Sequence, residues 1–371
     1  MGGDYTHDMH PYPAKFPPHA IRGAIERFTT AGDTVLDPFC GSGTTLVECR
    51  LLGRNAIGIE LNPIGALIST AKSAVYSQRD VEELKSILAA LQHERENLPG
   101  WLAKHSARDA IPRYPNRDHW FGKEVQEELA AIKCSVIERV DSDSRLGPLL
   151  KMAFSRIIVP VSYQDTETRY AAVAKVVPPG RTLDLYIRTL SSYLAILLEH
   201  PDRSSLGVSI EVLPGDAPEE IKKLKPASID FALTSPPYIN SFDYYLYHKQ
   251  RMYWLGEDPR KVRELEIGLH HRVDSQSYEV ATDEYVESMG GVFRGVSRAL
   301  RQGGRFVLLV GDGIVKGKVV EMRPLVRKLA DSTGLTEEEA TAIPLRTVSR
   351  RFIKEAKIDR KQHHVITLVK D

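Results

Sequence analysis

Apolar residues recur at helical spacing over residues 18–30, and that stretch closes near Gly32. The short apolar run DTVLDPF predicts a strand that enters the turn CGSGTT. LVECRLLG then predicts a helix, NAIGIELN a second strand, and PIGALISTAKSAVYS a second helix. Alternating strands and helices are the signature of a doubly wound parallel sheet. From about residue 78 to 205 the pattern changes to mostly helical periodicity, as in VEELKSILAALQHERENL and GKEVQEELAAIKCSVIERV. The proline-rich stretch AIPRYPNRDHWFG and the polar stretch SYQDTETRYAAVAKVVPPG in this region read as loops. The α/β pattern resumes at GVSIEVLPGDA and IDFALTSPPY. It continues through the long helix DEYVESMGGVFRGVSRAL, the strand RFVLLVGDG and the helix KVVEMRPLVRKLADSTG. A closing pair of strands is expected in EEATAIPLRTV and QHHVITLVKD. The expected fold is α/β, a doubly wound Rossmann-like sheet, mostly parallel with a C-terminal antiparallel strand. Residues 1–77 and 206–371 would build it, and 78–205 would form a mainly helical insert.

The chain has 371 residues, 42% of them hydrophobic and 27% charged, the balance of a globular protein with a sizeable core. Its net charge of +1 gives no overall field for nucleic acid, although a local basic groove can hide within a neutral total. Cys40, Cys49 and Cys134 make no metal-ligand spacing, so no metal is expected and a reducing compartment is. The first residues lack a signal-peptide pattern, and no apolar run reaches membrane-spanning length. These features predict a cytoplasmic protein without a membrane partner.

Asp37-Pro38-Phe39-Cys40-Gly41-Ser42-Gly43 lies where the first strand meets the first helix. Glycines there let the backbone approach a ligand, and Glu60, about 20 residues on at the end of the next strand, suits ribose hydroxyls. Taken alone, the glycine pair also fits a plain tight turn. A dinucleotide fingerprint would need a third glycine, and a phosphate loop would need Gly-Lys-Ser/Thr. An acidic residue opening the loop suits an ammonium-bearing, phosphate-free nucleoside such as S-adenosylmethionine.

Ser235-Pro236-Pro237-Tyr238 follows the apolar strand IDFALT. Two prolines fix the backbone and remove two N–H donors, so carbonyls and the Ser235 hydroxyl are left as acceptors. Tyr238 adds a flat face. An amino group on a flipped base needs acceptors for its hydrogens and an aromatic surface for stacking. A carbon-5 cytosine enzyme would instead need a Pro-Cys nucleophile, and no cysteine here follows a proline.

DPFCGSGTT followed much later by TSPPY resembles the S-adenosylmethionine-dependent DNA amino-methyltransferase family, and HPYPAKFPP resembles that family's extra cofactor-binding segment. The resemblance covers the α/β portion, and the insert departs from the commonest family layout. It implies that Asp37, Phe39, Cys40, Gly41, Gly43 and Thr44 line the cofactor. Glu60 and Leu61 would hold the ribose, and Asp216 and Ala217 would meet the adenine. His10, Tyr12, Lys15 and Phe16 would border the methionine end, with Ser235 reaching both cofactor and base. Ser235 through Tyr238 would be the catalytic motif. Within the family Ser-Pro-Pro-Tyr is typical of cytosine-N4 enzymes and Asp-Pro-Pro-Tyr of adenine-N6 enzymes. The resemblance therefore implies cytosine N4 in double-stranded DNA as the target, in a restriction–modification or defence setting. Adenine N6 and, further off, guanine N2 of RNA stay open.

Gln164 and Arg169 in the SYQDTETRY stretch are candidates for base contacts, and Tyr244 lies close behind the Ser-Pro-Pro-Tyr motif. The stretch also fits a solvated surface loop. LRTVSRRFIKEAKIDRK is the most basic segment and fits either phosphate contacts or a solvated strand face.

Overall fold

A computed structural model describes residues 5–105, 108–138, 140, 144–200, 207–240, 243–344 and 361–371. In chain order the strands are β1 (Thr34–Asp37), β2 (Asn55–Glu60), β3 (Gln164–Thr166), β4 (Arg169–Ala172), β5 (Ile210–Pro214), β6 (Ile229–Thr234), β7 (Leu300–Gly311), β8 (Gly313–Val315), β9 (Lys318–Val320), β10 (Leu335–Pro344) and β11 (Gln362–Lys370). Seven of them form one sheet in the order β10-β11-β7-β6-β1-β2-β5. The pairings from β5 to β7 are parallel, and β11 runs antiparallel to both β7 and β10. The expected doubly wound sheet with an antiparallel strand near its C-terminal end is present.

Contacts group the chain into two units. The α/β unit comprises Phe16–Asn62, Val208–Tyr244 and Lys261–Asp371. Side chains alternate across a strand with period two, so one strand feeds two cores. Leu36, Ala232, Phe306, Leu308 and Val310 pack with Met289, Val292, Phe293 and Val296 of the helix Tyr278–Ala299 on one face. Val35, Phe231, Leu233, Val307 and Leu309 pack with Ile21 and Ile25 of the helix Pro18–Phe28 and Leu46 and Cys49 of the helix Thr44–Leu51 on the other. Covering both faces explains why these strands read as continuous apolar runs.

The helical unit comprises Met1–Lys15, Pro63–Gly207 and Tyr245–Arg260. Its helix Leu146–Val161 buries most of its length and packs against the helices Pro63–Ser73 and Arg181–Glu199. The Glu128 carboxylate accepts bonds from the backbone N–H groups of Gly180 (2.6 Å) and Leu183 (3.0 Å), satisfying free donors where the last of these helices begins. The polar stretch after Ser162 is not a loop: β3 and β4 pair antiparallel as a small hairpin turned at Glu167-Thr168. Among the described residues no helix is long and apolar enough to cross a membrane.

Candidate active site

The carboxyl ends of β6, β1, β2 and β5 are neighbours along one sheet edge, where open α/β sheets bind ligands. After β1 the chain turns through Gly41 (φ 53°) and Gly43 (φ 78°), both in the left-handed region that favours glycine. Gly43 occupies the N-cap of the helix Thr44–Leu51, and its N–H donates to the Cys40 carbonyl at 2.8 Å. The sequence suggested that the Asp37 carboxylate meets a ligand ammonium, and in the structure the carboxylate also accepts bonds from the chain itself. Asp37 is buried, and Thr45 Oγ1 (2.6 Å), Thr234 Oγ1 (2.7 Å) and the Phe39 N–H (3.1 Å) all donate to it. Burial raises its pKa despite these bonds. Because Thr234 directly precedes Ser235, Asp37 ties the glycine loop to the Ser-Pro-Pro-Tyr motif.

Glu60 ends β2, part-buried beside that loop. Its Oε2 accepts from the Gly41 N–H (2.8 Å) and its Oε1 from the Asn62 N–H (2.7 Å), while burial pushes its pKa up to about 7. The Glu60 carbonyl accepts the Gly215 N–H at 3.0 Å, so Asp216 follows on the adjacent strand end. Asp216 occupies the N-cap position of the short helix Ala217–Glu220 without a side-chain capping bond, and burial raises its pKa with Glu219 adding to the effect. Ser235 follows β6 on the other side of β1. Its Oγ lies 3.4 Å from the Tyr238 hydroxyl, which also donates to the Leu309 carbonyl at 3.3 Å. The Pro237 carbonyl is not a free acceptor, because the Tyr285 hydroxyl donates to it at 2.9 Å. Among the Ser-Pro-Pro-Tyr acceptors, Ser235 Oγ and the Pro236 carbonyl remain.

The family model for DNA methylases of the N6/N4 type matches residues 3–67. The chain is similar to the Type II methyltransferase M.MjaII of Methanocaldococcus jannaschii, with 23% identity over 83% of this chain and 72% of that protein. It is also similar to M.BsoBI of Geobacillus stearothermophilus, with 24% identity over 76% of this chain and 59% of that protein. A shorter match to M.XycI of Xanthomonas campestris pv. cyanopsidis reaches 54% identity over 48 residues, which is 13% of this chain and 16% of that protein. The family match and these relatives support the DNA amino-methyltransferase family for this chain.

The sheet edge fits S-adenosylmethionine. A carboxylate held only by backbone donors can accept ribose hydroxyls, and a left-handed glycine loop leaves room for the nucleoside. Among the described residues no cluster of three or more His, Cys, Asp or Glu could hold a metal ion. Some cofactor candidates serve the scaffold with their side chains. The Cys40 thiol is buried in the core and presses on Gly58, where a Cβ would come within 2.8 Å of its Sγ. Phe16 packs against the same core, while Phe39 and Ala217 pack against the opposite one. Thr44 is buried at the helix start, and Leu61 is part-buried after β2.

Tyr12 and Lys15 fall in the helical unit. The Tyr12 ring stacks on His248 at 5.2 Å, and Lys15 donates to the His7 carbonyl (3.1 Å) and to Asp8 (3.2 Å). His10 is buried beside Ser155, 3.1 Å from its Oγ. Gln164, chosen as a base reader, is fully buried and donates to the Thr166 carbonyl at 2.9 Å, because the hairpin folds its amide inward. Arg169 is 70% exposed in its side chain and pairs with Asp165 at 3.0 Å. Tyr244 opens the helix Tyr244–Leu255 with its N–H donating to Glu266 at 2.7 Å. Residues 345–360 of the basic segment lie outside the described residues.

Sequence reasoning missed Thr45, Thr234 and Tyr285, and the packing of His363 against Tyr238. A hydroxyl eight residues after Asp37 carries no signal of its own. His363 reaches Tyr238 only because β11 returns antiparallel along β7, pairing His363 with Gly311.

Proposed function

We propose that the protein transfers a methyl group from S-adenosylmethionine to the exocyclic N4 amino group of cytosine in double-stranded DNA, after flipping the base out of the helix. The observation that carries this reading is the Asp37–Thr234 bond, which joins the glycine loop to an acceptor motif on the neighbouring strand. When bound, S-adenosylmethionine supplies an electrophilic methyl group on a positively charged sulfur. The chain does the rest. Glu60 and Asp216 hold the nucleoside, and the Gly41–Gly43 turn lets it come close. Ser235 Oγ and the Pro236 carbonyl accept the amino hydrogens and draw the nitrogen lone pair out of the ring. Tyr238 stacks on the base. Positioning and fixed dipoles account for the rate enhancement, and no covalent intermediate is needed.

Residues 78–205 are the candidate target-recognition domain, with Arg169 as the leading side chain and Gln164 set aside. The relatives are Type II methyltransferases by name, so a restriction–modification setting in the cytoplasm is the expected context. Nucleoside mass analysis of DNA incubated with protein and cofactor tests the reading, and N4-methylcytosine is expected. N6-methyladenine alone would move the target to adenine, and methylated RNA with unmodified DNA would overturn the substrate class.

A further inference from the structure

We propose that Asn240 is a positioning residue: it fixes the far end of the Ser-Pro-Pro-Tyr motif, so that Ser235 Oγ and the Pro236 carbonyl keep the geometry that methyl transfer needs. This rests on the function proposed above and adds a residue to its machinery. The near end of the motif is anchored, because Thr234 donates to Asp37. Two prolines stiffen the stretch between, so its direction is set largely where its ends are held. The far end is Asn240, two residues past Tyr238. Its backbone lies at φ 56°, in the left-handed region that asparagine tolerates better than most residues. The turn is closely packed on both sides. A Cβ at Gly268 would lie 3.1 Å from the Tyr238 carbonyl oxygen and 3.2 Å from Ile239 Cα. A Cβ at Gly313 would press on Ile239 Cγ2 and lie 2.9 Å from the Ile239 carbonyl oxygen. Two stretches of backbone thus clasp the turn where neither carries a side chain.

Asn240 fastens this clasp with its backbone N–H and both ends of its side-chain amide. The N–H donates to the Gly268 carbonyl at 3.0 Å, and Nδ2 donates to the Ile314 carbonyl in β8 at 2.7 Å. A carbonyl can only accept, so this bond fixes which way the amide points and leaves Oδ1 to accept from His270 Nδ1. The stretch around Gly268 also holds the chain further on. Asp243 Oδ1 accepts the His270 N–H at 2.8 Å, and Glu266 Oε1 accepts the Tyr244 N–H at 2.7 Å. In the middle of the motif Tyr285 holds the Pro237 carbonyl. Asn240 completes a row of supports behind the two acceptors without touching the substrate.

Three variants test this. Asn240→Gly adopts the left-handed turn freely and removes both side-chain bonds. Asn240→Asp keeps the acceptor toward His270 and loses the donor to Ile314. His270→Ala leaves the bond to Ile314 and opens the clasp from the other side. Steady-state methyl transfer to DNA, S-adenosylmethionine affinity and thermal melting are measured on the same preparations, with rates taken well below the melting midpoint. The expected kcat falls about tenfold or more in Asn240→Gly and less in the other two, since a misplacement of about 1 Å costs about a hundredfold. KM for DNA and cofactor affinity are unchanged. A wild-type kcat in Asn240→Gly, or in His270→Ala should the glycine variant fail to fold, would overturn the role of Asn240 alone. So would a loss of cofactor affinity that matches the loss of kcat. A wild-type protein that binds the cofactor but methylates no DNA would overturn the function and this role together.

Discussion

Replacing Thr234 by valine removes one hydroxyl and almost no volume, so it isolates the link between the two motifs. Thr234 is buried, and its Oγ1 donates to Asp37 Oδ1 at 2.7 Å. A bond to a charged acceptor contributes about 1.5–3 kcal/mol, and more of that is realised when the group left behind is buried. Asp37 would keep only Thr45 and the Phe39 N–H, and its already raised pKa would rise further. At about 2–4 °C per kcal/mol for a protein of this size, the midpoint of thermal unfolding should fall by about 3–12 °C. Ser235 adjoins the lost bond, so methyl transfer should slow as well. Thr234→Ser, which keeps the hydroxyl, should restore both. The assays are thermal melting, cofactor titration and methyl transfer on the same preparations. A valine variant with unchanged melting and unchanged rate would show that Asp37 does not couple the loops.

Glu60 predicts a pH dependence. Its pKa near 7 in the folded protein lies above the ordinary carboxylate value, so its contribution to the stability of the cofactor-free protein is full at low pH. That contribution is lost as pH rises toward 7. Cofactor binding needs the carboxylate as an acceptor, so affinity for S-adenosylmethionine should strengthen as pH rises through about 7, and Glu60→Gln should flatten that profile in calorimetric titration. Arg169→Ala should weaken DNA binding or methylation by about 1–3 kcal/mol if its side chain reads a base, with cofactor affinity unchanged. DNA affinity and rate both at wild-type level would return the hairpin to a solvated surface role.

The sheet was legible because its strands are buried on both faces and stand out as apolar runs punctuated by glycine. The glycine loop, Glu60 and the Ser-Pro-Pro-Tyr motif were legible because residue type and strand end coincide. Asp37 was located but its partners within the chain were not, since Thr234 lies far along the chain and a sequence cannot show which hydroxyls a carboxylate accepts. Gln164 failed for a related reason: a polar residue in a polar stretch reads as exposed until a hairpin folds it inward. The contact of His363 with Tyr238 could not be found at all, because it depends on the register of β11 against β7.

The pairing of β2 with β5 also bears on how the protein folds. These strands are neighbours in the sheet, yet residues 61–209 lie between them. Closing a loop of about 150 residues costs about 2 kcal/mol more than closing a connection of about a dozen, because closure entropy grows with the logarithm of length. A helical unit that folds first draws its own ends together and shortens the span left to close. The β1–β6 pairing closes a longer stretch still, residues 38–228, so both pairings carry this closure cost, and a ligand that touches the ends of β1, β2, β5 and β6 favours the completed sheet.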